Sequence, residues 1–257
     1  MIRLVREYIN YWIKGKHRHG VHSPFVYDFN DKCLRLQVPK EVMSIYSNYY
    51  RQLVKSDELI TIEDFGAGSK KLGNIRKVSS IAKVSGSTAK YAKLIYRIVN
   101  FYQPRHILEL GTSLGLSTLM MRLGNQDAKI DTVEGCAQTL KITQQEFPLH
   151  HNVKIDFNRS TFDTYLTKVD KSKQYDFVFI DGDHRGKSVL NILDSLTPLI
   201  HDETIILLDD IRWTEDMQSM WEQLIITDRY HLNIDLFKMG VIVPRKHQAT
   251  ESFVIRY

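Results

Sequence analysis

Five short apolar runs constrain the fold of this chain more than any other feature: HILEL (106–110), KIDTVE (129–134), NVKIDF (152–157), YDFVFID (175–181) and TIILLDD (204–210). Stretches of helical character separate them, at LSTLMMRL (116–123) and over residues 137–147, 161–169, 186–196 and 214–227. Strands that alternate with crossover helices pair in parallel, and a parallel sheet must be covered on both faces. The predicted fold class is therefore α/β. Three of the runs close on carboxylates, at Glu134, Asp181 and Asp209-Asp210. In an open parallel sheet, the carboxyl ends of the strands are where ligands bind. The tail, LNIDLFKMGVIV (232–243) and ESFVIRY (251–257), reads as two further strands around PRKHQAT. Such a hairpin would add an antiparallel strand at one edge.

Upstream of residue 105 the pattern is helical. Ile2, Val5, Ile9, Trp12 and Ile13 recur at helical spacing and predict an amphipathic helix over residues 2–14. Ser23-Pro24 looks like an N-cap followed by a first-turn proline, opening a helix over residues 24–36. Further helices are expected from Pro39 to about Lys55, over 76–84 and over 87–102, with ELITIEDF (58–65) either extended or irregular. The chain thus reads as a helical N-terminal extension over residues 1–85 and a ligand-binding domain over residues 86–257.

Hydrophobic residues make up 43% of the 257, enough for a full core. No run approaches the ~20 apolar residues of a membrane span. Charges interrupt every apolar run near the N-terminus, against the pattern of a secretory leader. Cys33 and Cys136 lie far apart without metal-type spacing, and are expected to be buried free thiols of a cytoplasmic protein. The net charge of +5 is uneven: residues 1–22 carry Arg3, Arg6, Lys14, Lys16 and Arg18 against Glu7 alone. The rest of the chain is close to neutral, so a basic face for nucleic acid is not indicated. The basic front end suits an anionic substrate or an anionic membrane surface. It equally suits a solvated face whose apolar stripe docks on the domain. His17, His19 and His22 have no accompanying cysteines or carboxylates and make a poor zinc set.

Two glycine-rich stretches could hold a ligand, DFGAGS (64–69) and ELGTSLG (109–115). Only the second has the required frame of strand, glycine turn and helix. Gly111 would let the chain turn at the strand end, and Gly115 would leave room for a ligand against the backbone. Glu134 closes the next strand 23 residues after Gly111, near the usual offset for a carboxylate that grips a ribose. DFGAGS lacks a following strand and reads as a loop. Ser113 stands where a dinucleotide fingerprint has its middle glycine, and Glu109 would repel a pyrophosphate. A cationic ligand with a ribose and no phosphate, S-adenosylmethionine (SAM), suits this turn better.

ILELGTSLGLSTL resembles motif I of class I SAM-dependent methyltransferases, in the form of the catechol and caffeoyl-CoA O-methyltransferase group. VEG (133–135), YDFVFIDGDH (175–184) and IILLDDIRW (205–213) resemble the later motifs of that group, and the DGDH form is similar to bacterial small-molecule O-methyltransferases. The resemblance covers residues 85–243. It implies a Rossmann-like, mostly parallel seven-stranded sheet with an antiparallel edge strand. It also implies that Glu109, Gly111, Thr112, Ser113 and Gly115 line the methionine part of SAM, that Glu134 and Gly135 meet the ribose, and that Ser160, Thr161 and Phe162 lie near the adenine, with Asp181 also at the cofactor. Asp181, Asp209 and Asp210 match the metal-binding acids, although those relatives carry asparagine as the third ligand. Three oxygen donors on one rim would suit Mg²⁺, which would orient and acidify the acceptor hydroxyl. Asp210 could instead cap the helix beginning near Thr214. His184 lies where relatives have a lysine base, and an imidazole titrates in the right range to take a proton. Asp183 is the competing base. Trp213 could wall the acceptor or pack in the core.

The expected function is methyl transfer to a hydroxyl of a small molecule, with a homodimer as the expected assembly if the chain is not monomeric. The alternatives are a nicotinamide-dependent oxidoreductase and a non-catalytic SAM-binding or membrane-associated module.

Overall fold

The computed structural model describes residues 2–15, 23–63, 75–85, 89–149, 154–227 and 229–257. The DFGAGS loop and the histidines of residues 16–22 lie outside them. In chain order the elements are α1 (Ile2–Lys14), α2 (Pro24–Asp28), α3 (Lys40–Lys55), β1 (Leu59–Thr61), β2 (Ile75–Lys77), α4 (Val78–Ser85), α5 (Ala89–Tyr102), β3 (His106–Leu110), α6 (Leu116–Gly124), β4 (Lys129–Glu134), α7 (Ala137–Glu146), β5 (Ile155–Arg159), α8 (Phe162–Lys168), β6 (Tyr175–Ile180), α9 (Gly186–Leu196), β7 (Ile200–Leu208), α10 (Glu215–Ile226), β8 (Leu232–Asp235), β9 (Gly240–Val243) and β10 (Glu251–Val254). The main sheet has eight strands in the order β10-β8-β9-β7-β6-β3-β4-β5. It is an α/β fold with a mostly parallel sheet, as the strand–helix alternation predicts. Ser23 stands at the N-cap of α2 but makes no side-chain capping bond.

Contacts divide the chain into two units, Leu36–Val169 and a second built from Met1–Arg35 with Asp170–Tyr257. This division does not follow the boundary expected at residue 85. In the first unit, β3 pairs in parallel with β4, and β4 with β5. Residues 107–110 of β3 are all buried, the continuous apolar run of a strand covered on both faces. β5, half exposed, ends the sheet. The helix α3 presents Tyr46, Tyr49 and Leu53 inward at helical spacing. The Tyr49 hydroxyl donates to the Leu114 carbonyl at 2.8 Å, so this helix braces the glycine turn. The ambiguous ELITIEDF segment contains β1, which pairs with β2.

In the second unit β6 and β7 are parallel. The tail departs from expectation. LNIDLFKMGVIV is itself the hairpin: β8 and β9 pair antiparallel around residues 236–239, and β9 pairs antiparallel with β7. ESFVIRY then supplies β10, parallel to β8. The sheet therefore has eight strands rather than seven, and the antiparallel strand β9 is interior. The turn residues 236–239 include neither glycine nor proline, since Gly240 already belongs to β9, so the run carries no local turn signal.

Candidate functional site

The candidate cofactor residues other than Asp181 lie in the first unit, and Asp181, Asp183, His184, Asp209 and Asp210 lie in the second. In the first unit, β3 ends at Leu110 and the chain turns through Gly111 at φ 113°, Ser113 at φ 46° and Gly115 at φ 72° before α6. A side chain at Gly115 would meet Thr143 Cγ2 at 2.6 Å. That glycine thus admits the α7 side chain, where the sequence suggests room for a ligand. The turn is tied down by its own amides. Gly111 and Thr112 N–H donate to the Val133 carbonyl at 3.0 and 3.2 Å, Gly115 N–H to Thr112 O at 2.8 Å, and Ser113 N–H to Glu134 Oε2 at 2.9 Å. The Thr143 hydroxyl donates to Ser113 O at 2.6 Å.

Two carboxylates flank this turn, and neither touches a cationic side chain through a hydrogen bond or ion pair among the described residues. Glu134 accepts from the backbone N–H of Ser113 and Cys136, leaving lone pairs on both oxygens. Burial pushes its carboxyl up, and backbone donors at Cys136, Ser113 and Gly135 oppose that rise. Glu109 is fully buried. The hydroxyls of Thr118 and Thr132 donate to its Oε2 at 2.5 and 2.6 Å, while Oε1 has no hydrogen-bond partner among the described residues. Burial pushes the Glu109 carboxyl up to about 8, against the pull of the two hydroxyls. The β3–β4 register makes this possible by setting Glu109 beside Thr132. Thr112 turns inward, its hydroxyl bonded to that of Thr132. Beyond β5, Ser160 N–H bonds to the Glu134 carbonyl at 3.1 Å. Thr161 caps α8 through the Thr164 amide, with Phe162 half-buried beside it. Tyr49, Thr118, Thr132 and Thr143 were not legible as site residues, because lone hydroxyls in helices and strands carry no motif.

In the second unit, β6 and β7 end at acids. Asp183 and Asp210 both adopt left-handed backbone, at φ 51° and 53°, which aspartate tolerates better than most residues. Asp183 is gripped by the Arg185 guanidinium, at 2.5 and 2.9 Å to its two oxygens. His184 Nε2 lies 3.9 Å from Asp210 Oδ2. Asp209 is buried, and Lys238 Nζ donates to both its oxygens at 3.0 and 2.8 Å while standing 3.4 Å from Asp210 Oδ1. Burial and the neighbouring Asp210 push the Asp209 carboxyl up, and the charge and hydrogen bonds of Lys238 oppose that rise. Burial works against the Lys238 ammonium, yet Asp209, Asp210 and Asp181 together hold it above the ordinary lysine range.

Lys238 reaches this position through register. Leu208 pairs with Gly240, so two residues on, Asp210 falls opposite Lys238, and Ile211 N–H donates to the Lys238 carbonyl at 3.0 Å. The turn is fixed by Arg212, whose guanidinium holds both oxygens of Asp235 and the Phe237 carbonyl. The acidic trio thus does not form the expected oxygen cage. Among the described residues no three His, Cys, Asp or Glu side chains come together as a metal site requires. The cap of α10 is Thr214 rather than Asp210, and Trp213 is exposed rather than part of the core. Cys33 and Cys136 are free and buried, as expected.

Residues 108–211 match the family model described as a methyltransferase domain. No curated protein matches the chain. Among solved structures, the S-adenosylhomocysteine-bound methyltransferase PaMTH1 from Podospora anserina is similar at TM-score 0.57 and 14% identity, over 87% of this chain and 96% of that one. The O-methyltransferase from Bacillus cereus in complex with S-adenosylhomocysteine aligns at TM-score 0.53 and 14% identity, over 88% and 100%. The O-methyltransferase TomG from Streptomyces achromogenes, in complex with SAM, aligns at 0.55 and 13%, over 89% and 99%. At such identities the likeness is one of fold.

Proposed function

We propose that this chain, which carries a methyltransferase domain over residues 108–211, transfers a methyl group from SAM to a hydroxyl oxygen of a small molecule. The observation that carries the reading is the pair of carboxyl groups at the glycine turn, held by neutral donors with no protein cation bonded to either among the described residues, so that a bound cation would stabilise their ionised form. Glu109 keeps an orphaned buried oxygen, and Glu134 keeps lone pairs for a diol. A ligand with a cation and a ribose fits that donor set. Bound SAM supplies a methyl on a sulfonium, which departs as a neutral thioether when an oxygen takes the methyl. In this reading Glu134 accepts from the ribose hydroxyls, Glu109 faces the cationic methionine part, the turn 111–115 shapes the site with its backbone, and Ser160 and Phe162 lie by the adenine.

His184 is the base that takes the acceptor's proton. The Asp210 carboxylate, 3.9 Å away, stabilises the imidazolium that forms. Asp183 is left out of that role because Arg185 already occupies both its oxygens. Mg²⁺ does not fit the acids as they stand, since Asp209 gives both oxygens to Lys238 and Asp210 shares the same ammonium. We therefore route no step through a metal: Lys238 supplies the positive charge, and turnover is expected to survive chelation. The nicotinamide alternative finds no support in the turn, because the amides of residues 111, 112, 113 and 115 are bonded within the protein and cannot cradle a pyrophosphate.

Calorimetric titration with S-adenosylhomocysteine, with NADH as control, tests the reading. Micromolar binding of the former alone is expected; binding of NADH alone, or of neither, would overturn it.

A further inference from the structure

The apolar stripe of α1 does not dock on the domain, as one reading of the sequence would have it. Only one side of α1 is taken up. The Tyr11 hydroxyl donates to the Ile255 carbonyl at 2.5 Å and accepts from the Tyr257 amide at 3.0 Å. Arg3 donates to Gln218 at 2.8 Å, and the Tyr11 ring packs on Phe237 with centroids 5.2 Å apart. These contacts lay the helix lengthwise against the unit that contains it. Val5, Ile9 and Trp12 recur at i, i+4 and i+7 on another side with Ile13, and all four are exposed, Ile13 at 72% and Ile9 at 52%; Tyr8 stands at the edge, half-exposed with its ring 5.0 Å from that of Phe237.

We propose that this face of α1 rests on an anionic phospholipid membrane surface. Thirteen residues of helix span about 20 Å, too short to cross a bilayer but suited to lying in its interface. Among the described residues no helix is long and apolar enough to cross a membrane. Trp12 and Tyr8 are the amphipathic rings that favour the headgroup level. Cations border the stripe: Arg6 is exposed beside it, and the Arg256 guanidinium sits 3.8 Å from the Trp12 ring centroid while its Nε donates to the Trp12 carbonyl. Glu7 is the only acid on the helix. That charge pattern attracts an anionic surface. It opposes a second copy of this chain, which would bring the same cations face to face. The proposal does not depend on the methyltransferase reading.

Co-sedimentation of the full chain with phosphatidylcholine vesicles containing phosphatidylglycerol, against phosphatidylcholine alone, tests it. We expect binding to the anionic vesicles only, weakened by added salt. Ile9→Glu and Ile13→Glu should each reduce the bound fraction about tenfold, since each replaces a buried-on-binding aliphatic group by a like-charged acid. Unchanged Tm would show that these exposed positions do not disturb folding. Equal binding to both vesicles, or to neither, would overturn the proposal. So would a dimer in solution that Ile9→Glu converts to monomer, because the stripe would then belong to a second copy.

Discussion

The carboxylates of the two units are kept in opposite ways. At the glycine turn, Glu109 and Glu134 are held by hydroxyls and backbone amides, neutral donors that orient a carboxyl group without supplying a countercharge. At the ends of β6 and β7, the acids meet cations of the protein itself: Asp183 meets Arg185, and Asp209 and Asp210 meet Lys238. The hydroxyl-held pair remains attractive to a cationic ligand, whereas the lysine-held pair is already compensated. Two clusters of similar composition therefore have different chemistry, and a list of acidic residues would not distinguish them.

The largest effect that would test this contrast is on turnover. His184→Ala should lower kcat by about 10²–10⁴-fold, the usual contribution of a positioned base, while leaving S-adenosylhomocysteine affinity unchanged. Turnover near wild type would remove His184 from the chemistry. Next comes Lys238→Ala, which strands a buried carboxylate and should cost about 3 kcal/mol of stability in denaturant unfolding. Adding Asp209→Asn should recover much of that loss. Additive losses in the double variant would mean that the two groups do not depend on each other. In the first unit the effect should appear in affinity. Glu134→Ala is expected to weaken S-adenosylhomocysteine binding by roughly 1.5–3 kcal/mol, the value of hydrogen bonds to a charged group. Unchanged calorimetric affinity would sink the ribose role.

The smallest effect concerns Glu109 and pH. A carboxyl raised to about 8 in the folded state, above its ordinary value, contributes stability that is fully present below the ordinary carboxylate range. That stability is lost as pH rises through about 8. The ligand-free protein should therefore lose a few degrees of Tm on going from mildly acidic to mildly alkaline buffer. Glu109→Gln, which does not titrate, should show a flatter profile. Identical slopes in the two proteins would mean that Glu109 does not control this pH dependence.

Much of this architecture is legible in the primary structure. The helix over residues 2–14 and that over 186–196 emerge with the expected bounds, since each is set by a local apolar period. The turn at ELGTSLG and the acids at the ends of three strands are legible for the same reason, as signals within a few residues of one another. The tail is not legible in this way, because periodicity does not mark where one apolar run folds back on itself, as residues 236–239 do.

The α/β order, the position of the glycine turn and the identity of the acids that close the strands all follow from local signals in the chain. Tertiary structure alone decided which of those acids are compensated. Lys238 lies 28 residues from Asp210 in the chain, and only the antiparallel register of β7 with β9 sets it opposite. The same holds for Glu109, whose threonine donors come from α6 and, through parallel pairing, from β4. It holds too for α1, whose periodicity predicts a stripe but not the side on which Tyr11 fastens it. A carboxylate's chemistry depends on partners within a few ångströms, and chain folding, unlike local propensity, brings those partners from distant positions.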